Sequence, residues 1–405
     1  MLTPEYLLRI SEGSEEIADR LHSDILNAIV SRIVIRMNRG EDYILTSRDK
    51  WQIETLQEAG FLLEDIQKEI AKRTKQQEKE IAEAFEEAGV KTLEWDDKVY
   101  KAAGLSPVSL VESPYMIRLM QQTYDATIGE WVNFTGTMAI ETQNIFIRAL
   151  DDAYIKVASG SMSYTEAYIE TIDSIIANGV IVEYPSGHKD TIETAVLRAV
   201  RTGINQMSAR ITDARMKEMN WDIILVSAHL GARYTGTGDY RDHQWWQGKF
   251  YSKSGRDPRF PPYSVLGEGN VQGIHGANCR HSKGPGDGEH NPFQNFDTEE
   301  NRKTYETQQH QRVLERRIRN TKRQTLAYQT AMENATDEKA RFELVMRHQR
   351  KAYLLERQNK VYAAYCEEKG VRRLDERLKI AKWSRKEAAA ARGAAQRYKN
   401  ARGIK

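Results

Sequence analysis

Cysteine is nearly absent from this 405-residue chain. Only Cys279 and Cys366 occur, so no disulfide framework holds the fold, and two lone thiols suit a reducing cytoplasm. Long apolar runs are missing too. A membrane-spanning helix needs about 18 or more consecutive apolar residues; the best candidate, Ile25 to Ile35, is broken by Asn27, Ser31 and Arg32. No membrane partner is therefore expected. No basic stretch leads into an apolar one at the start, so no secretory signal is read. There is no P-loop, nucleophile elbow or HExxH pair, and no tandem repeat at a period of about 20–50 residues. These absences exclude a disulfide scaffold, a helical membrane protein and a solenoid, and they leave the commonest enzyme signatures without support.

What is present is charge, unevenly placed. Charged residues make up 29% of the chain and apolar residues 40%, enough for real cores. At roughly 100–200 residues per domain there is room for two to four structural units. The net charge of +2 hides a split. Residues 301–405 hold 28 Lys and Arg against 12 Asp and Glu, and the other 300 residues hold 32 against 46. A basic arm of +16 beside a body of −14 points to an acidic partner, nucleic acid or protein.

Three regions follow from changes in periodicity. Residues 1–178 read as helical. Ile17, Leu21, Ile25, Ile29, Ile33 and Met37 recur every four residues and line one helix face, with a stop at Asn38 to Gly40. A second helix is predicted over about 61–88, ended by Gly89, and further helices over 115–131 and 140–158. Ser163 and Glu166 have capping-box spacing for a helix to about Ile176. The period changes at Gly179. Val180 to Tyr184 reads as a strand, Pro185-Ser186-Gly187 as a turn, and Asp190 with Glu193 as the cap of a helix to about Met219. Ile223 to Val226 reads as a buried strand. The Gly-, His- and Trp-rich stretch that follows completes a loop-rich α+β core over 179–296. Residues 297–405 return to helix: a seam of Leu314, Ile318, Thr321, Thr325, Tyr328 and Met332, a second helix over 337–369 closed by Gly370, and a third over 371–400. Ala388 to Ala395 favour helix but offer little to pack, so this tail is expected to extend from the body or lie on a partner. The fold class is α+β, mostly α.

Residues 229–281 concentrate His229, Arg233, Asp242, His243, Trp245, Trp246, Gln247, Glu268, His275, Cys279 and His281. Three readings compete. His243, Cys279 and His281 are competent zinc ligands, although Cys-x-His is not a usual chelating pair and no Cys-x-x-Cys accompanies it. His229 or His243 is a candidate general base, with Glu268 or Asp242 as partner and Arg233 or Arg280 holding a phosphate. The third reading is structural: polar side chains tie down loops whose backbone lacks partners, Trp245 and Trp246 anchor them, and Gly267, Gly269, Gly273 and Gly276 supply turns. We adopt the structural reading, with no cofactor expected and zinc as its alternative. In the basic arm, Arg372, Arg373, Arg377, Lys382, Arg385, Lys386, Arg392 and Arg397 are the candidates for contact with DNA or an acidic surface.

Three blocks carry a family resemblance. Ser227-Ala228-His229-Leu230-Gly231-Ala232-Arg233 is the first. Asp242-His243 with Trp246-Gln247-Gly248-Lys249-Phe250-Tyr251 is the second. Gly273-Ile274-His275-Gly276-Ala277-Asn278-Cys279-Arg280-His281 is the third. Together they resemble the phage minor capsid protein 2 family of tailed phages and prophages, mostly of Gram-positive bacteria. The chain also looks related to minor head proteins of the Mu type, whose core ends in an Asn-Cys-Arg segment. The helical N-terminal half fits, as does the passage from Gln311 to Arg323. One departure is the Gly- and Thr-rich insertion Tyr234 to Arg241.

The resemblance implies a structural virion protein active in head morphogenesis at the portal vertex or inner capsid face. Multiple copies per virion, though few, would contact the portal protein, the major capsid protein and packaged DNA, after assembly in the host cytoplasm. It carries over no catalytic residues. The rival reading is a phage-delivered enzyme, a nuclease or ADP-ribosyltransferase-like transferase. That enzyme would use His229, Arg233, His243 and Glu268, and it requires those groups to converge in an open cleft.

Overall fold

The computed structural model describes residues 1–41, 47–178, 180–293 and 295–404. Gly179, where the period changes, lies outside the described residues. The chain is mostly helical. In order it forms α1 (Pro4–Arg9), α2 (Glu12–Met37), α3 (Arg48–Ala102), α4 (Pro114–Ala158), α5 (Tyr164–Asn178), β1 (Ile181–Glu183), β2 (Lys189–Thr191) and α6 (Ile192–Glu218). Then come β3 (Ile223–Val226), α7 (His243–Trp246), β4 (Phe250–Ser252), β5 (Lys283–Pro285), α8 (Thr298–Asn334), α9 (Glu338–Glu368) and α10 (Arg385–Arg402).

Local chemistry explains most of these limits. Ser163 and Glu166 do cap α5: the Glu166 amide donates to Ser163 Oγ at 3.4 Å, and the Ser163 amide donates to Glu166 Oε2 at 3.2 Å. α2 ends at Met37, as the Asn38–Gly40 stop requires. Gly187, at φ +77°, turns the β1–β2 hairpin, and Gly370, at φ +63°, closes α9.

Four expectations fail. Gly89 does not end a helix, because α3 runs from Arg48 through to Ala102. Ile81, Phe85, Ala88 and Thr92 form a buried ladder across it. A Cβ on Gly89 would lie 2.7 Å from Met120 Cε, so the glycine buys close packing of α4 rather than a stop. The two helices expected over 115–158 are one, since Phe134, Met138, Phe146 and Leu150 continue a buried helical stripe through the gap. Asp190 is not the residue next to the helix start, which falls at Ile192. It sits in β2, and Glu193 turns instead to His22 and Arg323. The third C-terminal helix is broken: Asp375–Leu378 is a single 3-10 turn, and α10 starts only at Ser384, whose capping box with Glu387 resets the chain.

The chain folds into two compact units, each drawn from three separate stretches. The first holds Met1–Glu15, Thr74–Asn133 and Thr194–Gln309; the second holds Glu16–Arg73, Phe134–Glu193 and His310–Lys405. In the first unit β3 is the centre of an antiparallel sheet ordered β4-β3-β5, with Ile224 opposite Tyr251 on one side and Pro285 on the other. Tyr100, Met216, Ile224, Val226, Trp246, Tyr251, Tyr263, Leu266, Ile274 and Cys279 form its core. The second unit is helical apart from the β1–β2 hairpin. One cluster joins Leu314, Ile318, Leu355, Tyr362, Cys366 and Leu378. Another seats Ala391, Ala394 and Ala395 of α10 on Ala352 of α9, flanked by Tyr353 and Trp383. The alanine tail thus packs on its own chain, because small side chains let two helices approach closely. No helix among the described residues is long and apolar enough to cross a membrane.

Candidate functional site

All three motif blocks lie in the first unit, around the exit of β3. The strand continues into Ser227, whose amide donates to Ser282 O at 3.0 Å while Ser227 Oγ accepts from the Ser282 amide at 2.9 Å. This pins the His229 segment beside the Cys279–His281 segment. Asn205, on α6, donates to the carbonyls of Cys279 and His281 at 3.4 and 2.9 Å. Arg233 grips the other side, with Nη1 donating to Gln272 O at 2.9 Å and Nη2 to Ala277 O at 2.8 Å. Asn278 takes a left-handed φ of +60° and turns Cys279 inward. The loop glycines act in two ways. Gly267 and Gly269 hold positive φ. Gly273 and Gly276 instead make room: a Cβ on Gly276 would sit 2.4 Å from Val271 O, and one on Gly273 2.1 Å from Gly267 O.

Cys279 Sγ lies 3.8 Å from His243 Nδ1 and 3.6 Å from His281 Nδ1, and the three atoms fall within 4.8 Å of one another. All three residues are buried. His281 Nε2 lies 3.0 Å from Gln247 Oε1, and His243 Nε2 lies 2.9 Å from Gln272 O. Gln247 is itself fixed: its Oε1 accepts from the His229 amide at 3.0 Å and its Nε2 donates to Gln244 Oε1 at 2.7 Å. The rings stack closely. His229 lies 4.5 Å from His281 between centroids, and Trp246 lies 4.5 Å from His243. Burial, with Arg233 nearby, brings the His243 pKa down to about 3. Burial, aided by His229, His243 and Arg280, puts that of His281 well below the ordinary value, and it raises the Cys279 thiol. The rings are therefore neutral. These are the residues that fit a soft metal ion.

A second polar group sits nearby. Lys283 is fully buried and donates to Asp213 at 2.9 Å and to Glu268 at 3.0 Å, with its ammonium 4.6 Å above the Tyr263 ring. His275 Nδ1 meets Glu268 Oε1 at 2.9 Å. Burial works to raise the Glu268 carboxyl, but the His275 hydrogen bond and the Lys283 charge hold it at about 2. Sequence reading missed Lys283, Asp213, Asn205 and Asn301. Asn301 Oδ1 accepts from the amides of Gly231 and Ala232 at 2.8 and 2.9 Å. They lie in helices or in a strand, where a polar residue reads as a solvated face, and no spacing signal marks them.

The remaining motif residues serve the backbone. Trp246 is buried and donates to Tyr240 O at 3.1 Å, whereas Trp245, expected to be an anchor, is 43% exposed. Gly248 takes φ +64° and Asn291 donates to its carbonyl at 2.8 Å. Arg280 reaches His229 Nδ1 at 3.3 Å. Asp242 is buried at the start of α7, with Oδ1 lacking a hydrogen-bond partner among the described residues. Each of the four groups of the enzyme reading is already held by protein: Arg233 and His243 meet on the Gln272 carbonyl, with Arg233 also on Ala277 O, Glu268 is held by His275 and Lys283, and His229 lies beside Leu230 O and Arg280.

The basic candidates divide. Arg372 pairs with Glu376 at 2.6 Å, Arg373 with Asp375 at 2.8 Å, Arg377 with Glu315 at 3.9 Å and Lys382 with Asp24 at 2.5 Å. Arg385, Lys386, Arg392 and Arg397 are exposed on α10 and pair with no carboxylate among the described residues. At about 100° per residue they fall on the side of α10 opposite its buried alanines.

Residues 2–355 match the phage minor capsid protein 2 family. The match identifies a bacteriophage capsid component and puts its place in the virion. The chain belongs to the phage minor capsid protein 2 family, and α10 with its exposed basic face lies beyond the matched residues. No curated protein matches the chain, and no solved structure does.

Proposed function

We propose that this protein is a structural, non-enzymatic part of the phage head, acting in head assembly at the portal vertex or inner capsid face. Family membership over residues 2–355 carries the reading. The prior engagement of the candidate catalytic groups, Arg233 and His243 on one carbonyl and Glu268 on Lys283 and His275, supports structure over catalysis. The rival nuclease or transferase needs His229, Arg233, His243 and Glu268 on one substrate, and each already has a partner within the protein. Portal and major capsid protein are the protein partners, with multiple copies in each virion.

The same reading gives α10 a second contact. Four exposed cations on α10, paired with no carboxylate among the described residues, suit packaged DNA. Such binding is driven by counterion release and ignores sequence. The test is binding of the purified chain to portal oligomer, to major capsid protein and to duplex DNA at low and high salt. Portal binding should survive high salt, and DNA binding should fall steeply. Changing Arg385, Lys386, Arg392 and Arg397 together to Gln should flatten the log–log salt slope by about 3–4 and leave portal binding intact. Tight DNA binding without portal binding would move the protein to a packaging role. Turnover of a nucleic acid or of NAD would overturn the structural reading.

A further inference from the structure

We propose that His243, Cys279 and His281 form a binding site for a zinc-class metal ion, with both imidazole Nδ1 atoms and the Cys279 thiolate as ligands. The site is independent of the capsid reading. Sequence spacing argues against it, since the ligands come from α7 and from a Cys-x-His pair with no second chelating motif. Geometry argues for it. A tetrahedral zinc with bonds of about 2.3 Å to sulfur and 2.0 Å to nitrogen sets those atoms about 3.5 Å apart. The two Sγ–Nδ1 separations are 3.6 and 3.8 Å.

Proton counting strengthens the case. Gln272 O is a carbonyl and can only accept, so His243 carries its proton on Nε2. Gln247 Oε1 is identified as oxygen by the amide that donates to it, so His281 also carries its proton on Nε2. Both Nδ1 lone pairs are therefore bare, and both point at one sulfur. The thiol has a single proton to offer, and the His281 carbonyl competes for it at 3.8 Å. At least one buried nitrogen acceptor is left unsatisfied, a cost of about 1–3 kcal/mol. A metal ion removes this deficit. The sulfur–hydrogen bond breaks, the proton leaves to solvent, and three donor atoms share one cation.

The surroundings match a ligand sphere built in advance. Metal-binding histidines almost always donate their other ring nitrogen to a fixed acceptor, and both do so here. Asn205 and Arg233 hold the backbone on either side of Cys279. Three protein ligands leave a fourth position for water. The site would clamp α7 to the Cys279–His281 segment, in a region with few ladder hydrogen bonds of its own.

The full-length chain, stripped with a chelator, is titrated with Co²⁺ as a spectroscopic stand-in for zinc. One equivalent should bind with tetrahedral visible bands and a near-ultraviolet thiolate-to-cobalt band, both displaced by Zn²⁺. Zn²⁺ should raise the melting temperature. Cys279→Ser should abolish the thiolate band and weaken zinc at least 10-fold, and Gln247→Leu should weaken it about 10-fold by freeing the His281 ring. Cys366→Ser should keep the thiolate band, which assigns the signal even if Cys279→Ser fails to fold. The absence of any cobalt spectrum in folded wild-type protein overturns the proposal. So does a thiolate band lost with Cys366, or zinc stabilisation unchanged in Cys279→Ser.

Discussion

The two units bury polar groups for different reasons. Around the exit of β3 in the first unit, loops replace ladders, so backbone amides and carbonyls need side-chain partners. Asn205, Arg233, Gln247 and Asn301 each make hydrogen bonds there with main chain. In the second unit helices satisfy their own backbone, and buried polar side chains meet one another. Arg323 pairs with Asp19 and lies 2.6 Å from Glu193, which His22 also meets at 3.0 Å. Tyr362 donates to Glu315 at 2.9 Å and accepts from Gln311 at 3.1 Å. Asn205 and Asn301 thus stand in for missing backbone partners, and Arg323 and Tyr362 bolt helices together.

The sharpest test of this contrast removes a bolt. Arg323→Ala leaves Asp19 and Glu193 as buried carboxylates without their cation and should cost about 3–5 kcal/mol in denaturant unfolding. Burial acts to raise the Glu193 carboxyl, but Arg323 and His22 hold it far below its usual range, so its contribution is present above about pH 4.5 and is lost as acid protonates it. A smaller loss would mean that the helical faces alone hold the second unit.

Next comes a loop position. Gly276→Ala drives a methyl group against the backbone oxygens of Val271 and Asn270, which cannot swing aside. It should cost about 1–3 kcal/mol, and by near-ultraviolet circular dichroism it should disturb Trp246 before the helices.

A pH effect follows in size. Burial, with Arg397 adding to it and Glu333 opposing, lowers the His348 pKa to about 4. The unfolded histidine titrates near 6.5 and takes up its proton first. This stability is therefore complete above about pH 6.5 and falls as the pH drops towards 4, by about 2 kcal/mol between pH 7 and pH 5. Urea unfolding of His348→Gln at the two pH values should show that much less pH dependence than wild type.

The smallest effect has the opposite sign. Gly136 is exposed within α4, and a Cβ there meets nothing within 4 Å. Gly136→Ala should raise stability by about 0.5–1 kcal/mol, measured as a shift in melting temperature. A loss there would mean that glycines in the helices, like Gly276, are retained for fit.

Helices, hairpin and central strand were legible because periodicity and capping are short-range. Ile17 to Met37 by fours, Ser163 with Glu166, and the apolar run Ile223 to Val226 each appear where expected. Gly89 misled because a glycine that ends a helix and one that admits a neighbouring methionine look the same in one dimension. The partition into units left no trace either. Each boundary falls inside a helix, where no linker composition marks it. The tail misled because alanines look unable to pack until a second small-residue face, at Ala352, is brought to meet them.

The sequence alone determined the family, the mostly helical class, the basic C-terminal arm and the residues that crowd the centre, since composition, period and motif are properties of neighbours along the chain. Only the tertiary structure decided what those residues do to one another. It turned Arg372, Arg373, Arg377 and Lys382 onto carboxylates while leaving the α10 face open. It brought His243 across 36 positions to Cys279, because a side chain's partner is set by where folding places distant segments and not by spacing.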